Sequence, residues 1–461
     1  MTSTLSVLTQ EENLASEEGR TYYVAPNGSD AHPGTRRQPW ASPGYASRQL
    51  KPGDTLIILG GRYRLRNYDD VLIPPSGTAQ AWITIRGERG NRPVLVGGNN
   101  LIAAIDLSGV EYVRIENLEI THDDTARGEA AWFRDGIEIL GAPSAHIVLQ
   151  DLYIHHVDEF GINIQDVEDL QILNTQIEYA GFGAIGGPAG EHGGWRSVVI
   201  RNASLSWSGH YYRGGDGSNR PYDRPDGLGV EASVGPILLE NVVAAYNYGD
   251  GLDSKAANTI IRRAIVANNF CDGIKLWGSG SRIENTLIYG RGAGRPVPSP
   301  WAAIVIAPET QKNARFEIVN VTVDDFLGQN HLMHVQYDFP NVPAYVVVRN
   351  SIFSARGPRS SIYVAPNSTL DVDYNLFYFP QDEVIWIHGD QSYTCATLSG
   401  LGKGNLCGDP RFVRPAWGEE GDYHLQPGSP ALRAGVFEGA PLDDLEGRLR
   451  AAPPTLGCYE H

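Results

Sequence analysis

Short apolar runs rich in β-branched residues recur along most of this chain, separated by Gly, Asn and Asp. Runs of this length with period-two alternation predict strands; helices need longer stretches at a 3.6-residue spacing, which are absent. Tyr22-Tyr23-Val24-Ala25 opens the series, the turn-rich Pro26-Asn27-Gly28-Ser29-Asp30 follows, and Gly53-Asp54-Thr55 leads into the buried run Leu56-Ile57-Ile58-Leu59. From about Ile83 a phrase repeats: an apolar residue, a variable one, Asn, two more, an apolar one. It occurs around Asn117, Asn174, Asn202, Asn241, Asn285, Asn320, Asn350 and Asn375, with Asp151 and Arg263 in equivalent places. An Asn repeated at an inward bend predicts an amide ladder along an axis. A period of twenty-odd residues predicts a solenoid, and the strands make it an all-β parallel β-helix of roughly ten coils. The expected layout is a disordered leader over 1–20 and one domain over 21–461, with a cap to about 80, coils to about 381 and an irregular tail.

A second phrase runs beside the first: Asp135-Gly-Ile-Glu-Ile, Phe160-Gly-Ile-Asn-Ile, Phe182-Gly-Ala-Ile-Gly and Ala302-Ala-Ile-Val-Ile. Between them stand three near-copies, Asp226-Gly227-Leu228-Gly229, Asp250-Gly251-Leu252-Asp253 and Asp272-Gly273-Ile274-Lys275, whose first residues are 24 and then 22 apart. Stacked coils put Asp226, Asp250 and Asp272 in one column, and Asp253 and Lys275 in the next. Neighbouring rungs are about 4.8 Å apart, so Asp226, Asp250 and Asp253 would repel unless a cation sat among them. Ca²⁺ accepts such hard oxygen donors. A lysine titrates at about 10.4, and a cation nearby would lower that value toward what proton abstraction needs. Asp272 and Asp253 act the other way, so Lys275 is either a base beside a metal or a salt-bridge partner. Asp-Gly pairs are also ordinary turn residues.

Composition narrows the partners. With net charge −17, nucleic acid is not the expected partner, and no apolar window reaches the length of a membrane span. The first twenty residues lack the apolar core of a signal peptide. Four cysteines form no CxxC pair, and Cys395 and Cys407, 12 apart, either bridge or stay free. Insertions at 186–195 and 208–224 interrupt the period, and the second ends just before Asp226. Loops of this kind gather on binding faces, so Arg213, Arg220, Arg224 and Tyr222 are candidate substrate contacts, as are Lys255, Asp272 and Trp277.

Asn247-Tyr248-Gly249-Asp250-Gly251-Leu252-Asp253, then Asp272-Gly273-Ile274-Lys275-Leu276, resembles the active-site signature of the polysaccharide lyase family 9 pectate lyases. The resemblance is close over these coils and loose over most of the chain. It implies a secreted, monomeric right-handed β-helix that cleaves an acidic polysaccharide, with pectate as the expected polymer. It also implies Ca²⁺ held by Asp226, Asp250 and Asp253, and Lys275 as the base of a β-elimination. One departure stands out: the family has consecutive aspartates where this chain has Gly249-Asp250. The chondroitinase B and alginate lyase group is a second resemblance, with Lys255 as the counterpart lysine. Two other classes remain open on the residues alone. One is a glycoside hydrolase using Asp250 with Asp272 or Asp253. The other is a carbohydrate-binding β-helix without catalysis.

Overall fold

The computed structural model describes residues 19–214, 224–294, 302–310 and 313–461. Of the leader expected over 1–20, all but Gly19 and Arg20 lie outside that set; Arg20 N donates to Asp54 Oδ1 at 2.8 Å. The chain is a right-handed parallel β-helix. Its first sheet is already running in the opening segment, where Thr21–Val24 pairs with Thr55–Ile58 and that strand with Ile83–Gly87. One face of the helix is a twelve-stranded sheet. The other two faces form a continuous 24-stranded sheet, because Trp195–Ser206 and Ile237–Ala245 run unbroken through the bend between them.

That bend is where the Asn phrase sits. Asn117, Asp151, Asn174, Asn202, Asn241, Arg263, Asn285, Asn320 and Asn350 all have φ between 46° and 54°. This left-handed region is one that Asn and Asp enter more readily than other side chains do. The amides do form a ladder: Asn202 Nδ2 donates to Asn174 Oδ1 and Asn241 Nδ2 to Asn202 Oδ1, each at 3.0 Å. The expected inward direction is corrected, however. Asn174, Asn202 and Asn241 are exposed, because the left-handed residue at the corner carries its side chain to solvent. On later coils the same amides are buried under the tail: Asn285 Nδ2 donates to Asp443 O and Asn350 Nδ2 to Val436 O, each at 2.7 Å. The tail also holds the Cys395–Cys407 disulfide, while Cys271 and Cys458 are free and buried.

Inside, equivalent residues stack. On the twelve-stranded sheet Ile137, Ile162, Ile185, Leu228, Leu252, Ile274, Ile304 and Met333 are in register, each at most 1% exposed. Each such side chain contributes about 1.5–3 kcal/mol by leaving water. The column fixes the register of the sheet, and with it every side chain on the opposite, outward face.

Candidate active site

The three central copies fall on adjacent strands of the twelve-stranded sheet: Asp226–Val230, Leu252–Ser254 and Ile274–Leu276. Leu228, Leu252 and Ile274 pair inward. Alternation then sends Gly229, Asp253 and Lys275 outward in one row, with Asp253 paired to Lys275. The glycine of each Asp-Gly pair is needed for close approach. A Cβ on Gly251 would lie 2.4 Å from Val266 Cγ1 and 2.7 Å from Gly273 O.

Each aspartate at the head of a copy ties its coil to the next. Asp226 Oδ1 accepts from Asp250 N at 2.7 Å, Asp250 Oδ1 from Asp272 N at 2.8 Å, and Asp272 Oδ1 from Ala302 N at 2.6 Å. Asp135 does the same for Phe160 N at 2.8 Å, well away from the cluster. The turn-residue account of Asp-Gly thus describes one oxygen of each carboxylate, and the second oxygen is left for other work. Beneath them is an Asn pair that the sequence reading missed. Asn247 Nδ2 donates to Asn269 Oδ1 at 2.9 Å, and Asn269 Nδ2 to Ala244 O at 2.9 Å. The signal was the Asn-x-x-Asp spacing shared by Asn247 with Asp250 and Asn269 with Asp272.

Asp226, Asp250 and Asp253 each present a carboxylate oxygen within 4.8 Å of the others; Asp250 is buried and the other two are partly exposed. Lys275 Nζ lies 3.2 Å from Asp250 Oδ2, 3.5 Å from Asp253 Oδ2 and 3.7 Å from Asp272 Oδ2. Four carboxylates therefore face one ammonium. Burial, then the neighbouring charge of Asp250, pushes Asp226 and Asp272 well above the ordinary carboxylate range. Burial raises Asp253 to about 6, against the pull of Lys275. Burial also works to lower Lys275, but Asp250, Asp253 and Asp272 outweigh it and hold the amine above its ordinary value. The protein alone thus keeps the lysine protonated and drives protons onto the crowded carboxylates, because nothing else offsets their charge.

The other candidate contacts separate. Trp277 Nε1 donates to Asp253 Oδ1 at 2.8 Å, and its ring lies 5.6 Å from Lys275 Nζ and 5.8 Å from Lys255 Nζ. Lys255 Nζ bonds both Glu231 oxygens, at 2.6 and 2.7 Å. Arg224 and Lys255 line a cleft that includes Asp226 and Asp253. Arg213 lines a different one, with His122, Asp124 and Trp132. Arg220 and Tyr222 lie outside the described residues. Gly249, the departure from the family signature, has a local cause: a Cβ there would sit 2.2 Å from Asp226 Oδ1 and 2.5 Å from Arg224 O. The approach of that segment leaves no room for a second aspartate.

A right-handed parallel helix with acids and a lysine on one outward row invites comparison with known proteins. Residues 22–190 match the Pel9A-like, right handed beta helix region. The matched stretch ends before Asp226. The solved pectate lyase Pel9A superposes with a TM-score of 0.53 at 14% identity, covering 96% of each chain. XylC, solved in complex with xylose, gives 0.62 at 11% identity, over 95% of this chain and 98% of that one. The A-module of the Azotobacter vinelandii mannuronan C-5 epimerase AlgE6 gives 0.55 at 12% identity, over 78% and 91%. At these identities the likeness is one of fold. The Bacillus subtilis (strain 168) uncharacterized protein YwoF is 28% identical over 165 residues, and that match spans about a third of either chain, 34%.

Proposed function

We propose that this protein is an exported polysaccharide lyase that cleaves a uronic-acid-containing polymer, pectate being the expected one, by Ca²⁺-assisted β-elimination. The observation that carries the reading is the convergence of Asp226, Asp250 and Asp253 within 4.8 Å, with Lys275 beside them on an outward row. The donor set fits the metal: four carboxylates against one lysine leave an excess that a dication offsets, and all donors are hard oxygens. Asp226, Asp250 and Asp253 are its ligands in this reading. When bound, Ca²⁺ supplies positive charge that polarises a uronate carboxylate and offsets the charges that keep Lys275 protonated. Lys275 Nζ would take the proton from the carbon next to that carboxylate; the C–H electron pair becomes the new C=C bond as the C–O bond breaks, and the leaving glycosidic oxygen takes a proton from water. Trp277 holds Asp253 in place through its indole N–H. The fold shared with proteins named pectate lyase and mannuronan epimerase supports an acidic polysaccharide, and the disulfide supports an oxidising compartment.

A second reading takes Lys275 as a fixed counter-ion, as its three ion pairs favour, and makes the carboxylates a hydrolase pair. Glycosidases separate their two carboxyl groups by about 5–5.5 Å or 6.5–9.5 Å. One oxygen from each of Asp226, Asp250 and Asp253 meets the others within 4.8 Å, a convergence of three carboxylates that a cation uses and a two-carboxylate hydrolase does not need, so the lyase reading is preferred. Pectate, methylated pectin, alginate and glycosaminoglycans, each incubated with and without a chelator, test both readings. Ultraviolet-absorbing unsaturated ends that vanish with chelator are expected. Reducing ends without that absorbance would replace elimination by hydrolysis.

A further inference from the structure

The outward row that holds Asp253 and Lys275 continues toward the N-terminal coils. Register pairs Asp253 with Gly229, Gly186 occupies the row one strand further on, and Asn163 and Glu138 follow. Two glycines in succession leave about 10 Å of the row without side chains of its own: the space over Gly229 is open, and that over Gly186 is covered by Phe160. The fold does not impose the first of them. A Cβ on Gly229 would meet only Asp226 Oδ2, at an ordinary 3.5 Å. At the second, the ring of Phe160 takes the space: a Cβ on Gly186 would lie 2.6 Å from Phe160 Cε1. Phe182 meets Phe160 edge-on, with centroids 4.8 Å apart at 66°, and is 37% exposed.

The result is a shallow cleft of about 130 Å³, open to solvent along one side, which leaves space for a single ring rather than a longer ligand. Its far wall is the aromatic pair, its floor is glycine, and its near end is Asp226 and Asp253. Arg224 and the Lys255–Glu231 pair also line it. An aromatic face opposite fixed charges suits a ring with an apolar face and a polar edge. We propose that this cleft is a subsite for one further sugar ring of an acidic polysaccharide, next to the ring that reacts, with Phe182 as its stacking surface and its carboxylate edge toward Arg224 and Lys255. The assignment rests on the reading of the acid cluster as a polysaccharide site. It adds a direction: the polymer runs along the helix axis toward the N-terminal coils.

The test is calorimetric binding of galacturonate dimer, trimer and pentamer, with Ca²⁺ present, in a Lys275→Met background that prevents turnover. In that background the pentamer binds more tightly than the dimer. Adding Phe182→Ala is expected to weaken pentamer binding roughly 3- to 10-fold and leave the dimer unchanged, while Phe182→Tyr retains the advantage. Gly229→Val, which fills the floor, is expected to remove the same length dependence. If pentamer affinity survives both Phe182→Ala and Gly229→Val, the subsite is overturned while the reading of the acid cluster stands. If no galacturonate oligomer binds even without these changes, both are overturned.

Discussion

Asp250 offers a way to separate what its carboxylate does for the coil from what it does for chemistry. Its Oδ1 accepts the Asp272 amide at 2.8 Å, and its Oδ2 faces Lys275 Nζ at 3.2 Å. Asp250→Asn keeps an acceptor for the amide and loses the charge. Asp250→Ala loses both and leaves a buried N–H without a partner, which costs about 1–3 kcal/mol. Removing the charge also relieves repulsion on Asp226 and Asp272, so the Asn variant should be near the wild type in stability without metal. A solenoid need not unfold in one step, so the local reading is the better one. Hydrogen exchange of the Asp272 amide, followed in Ca²⁺-free buffer at pH 7, should be roughly 5- to 150-fold faster in Asp250→Ala than in Asp250→Asn. Both variants should lack turnover. Equal exchange in the two would refute the claim that this carboxylate holds its neighbouring coil.

Three further outcomes are expected. Lys275→Arg keeps a cation among the same carboxylates but cannot give up its proton; unsaturated product should disappear while the thermal midpoint barely moves, and retained product would rule out the amine as base. Cys395→Ser opens a loop closed across 12 residues and should loosen the tail by about 3 kcal/mol, seen as faster limited proteolysis near the former bridge. Burial, helped by His331, Lys275 and Arg291, lowers His334 from 6.5 to about 4. The unfolded chain therefore binds a proton between those values that the folded one does not. The stability this residue contributes is full above pH 6.5 and is lost as pH falls toward 4, on the order of 3 kcal/mol. Urea midpoints at pH 7.5 and 4.5 should differ less in His334→Phe than in the wild type.

The columns were legible in the sequence because a solenoid turns spacing into adjacency: copies 24 and 22 residues apart become neighbouring rungs, so Asp253 meets Lys275. What spacing does not carry is the side from which a corner residue points. The exposed amides at Asn174, Asn202 and Asn241 were therefore expected inward, whereas the inward bond between Asn247 and Asn269 was not foreseen. Pairings made by long side chains across different coils were equally invisible. Trp277 bonds Asp253, and Lys255 bonds Glu231, through contacts 24 residues apart with no repeated phrase to mark them. The short helix Pro43–Arg48, six residues long, is too short to show the 3.6-residue spacing by which a helix is recognised.

The bonds from each head carboxylate to the next coil's amide all run the same way, from Asp226 to Asp250 to Asp272 to Ala302. The helix therefore has a grain. Damage at one aspartate loosens the turn that follows it and spares the turn before. A truncation from the C-terminal end strips a carboxylate of its amide, whereas one from the other end strips an amide of its acceptor.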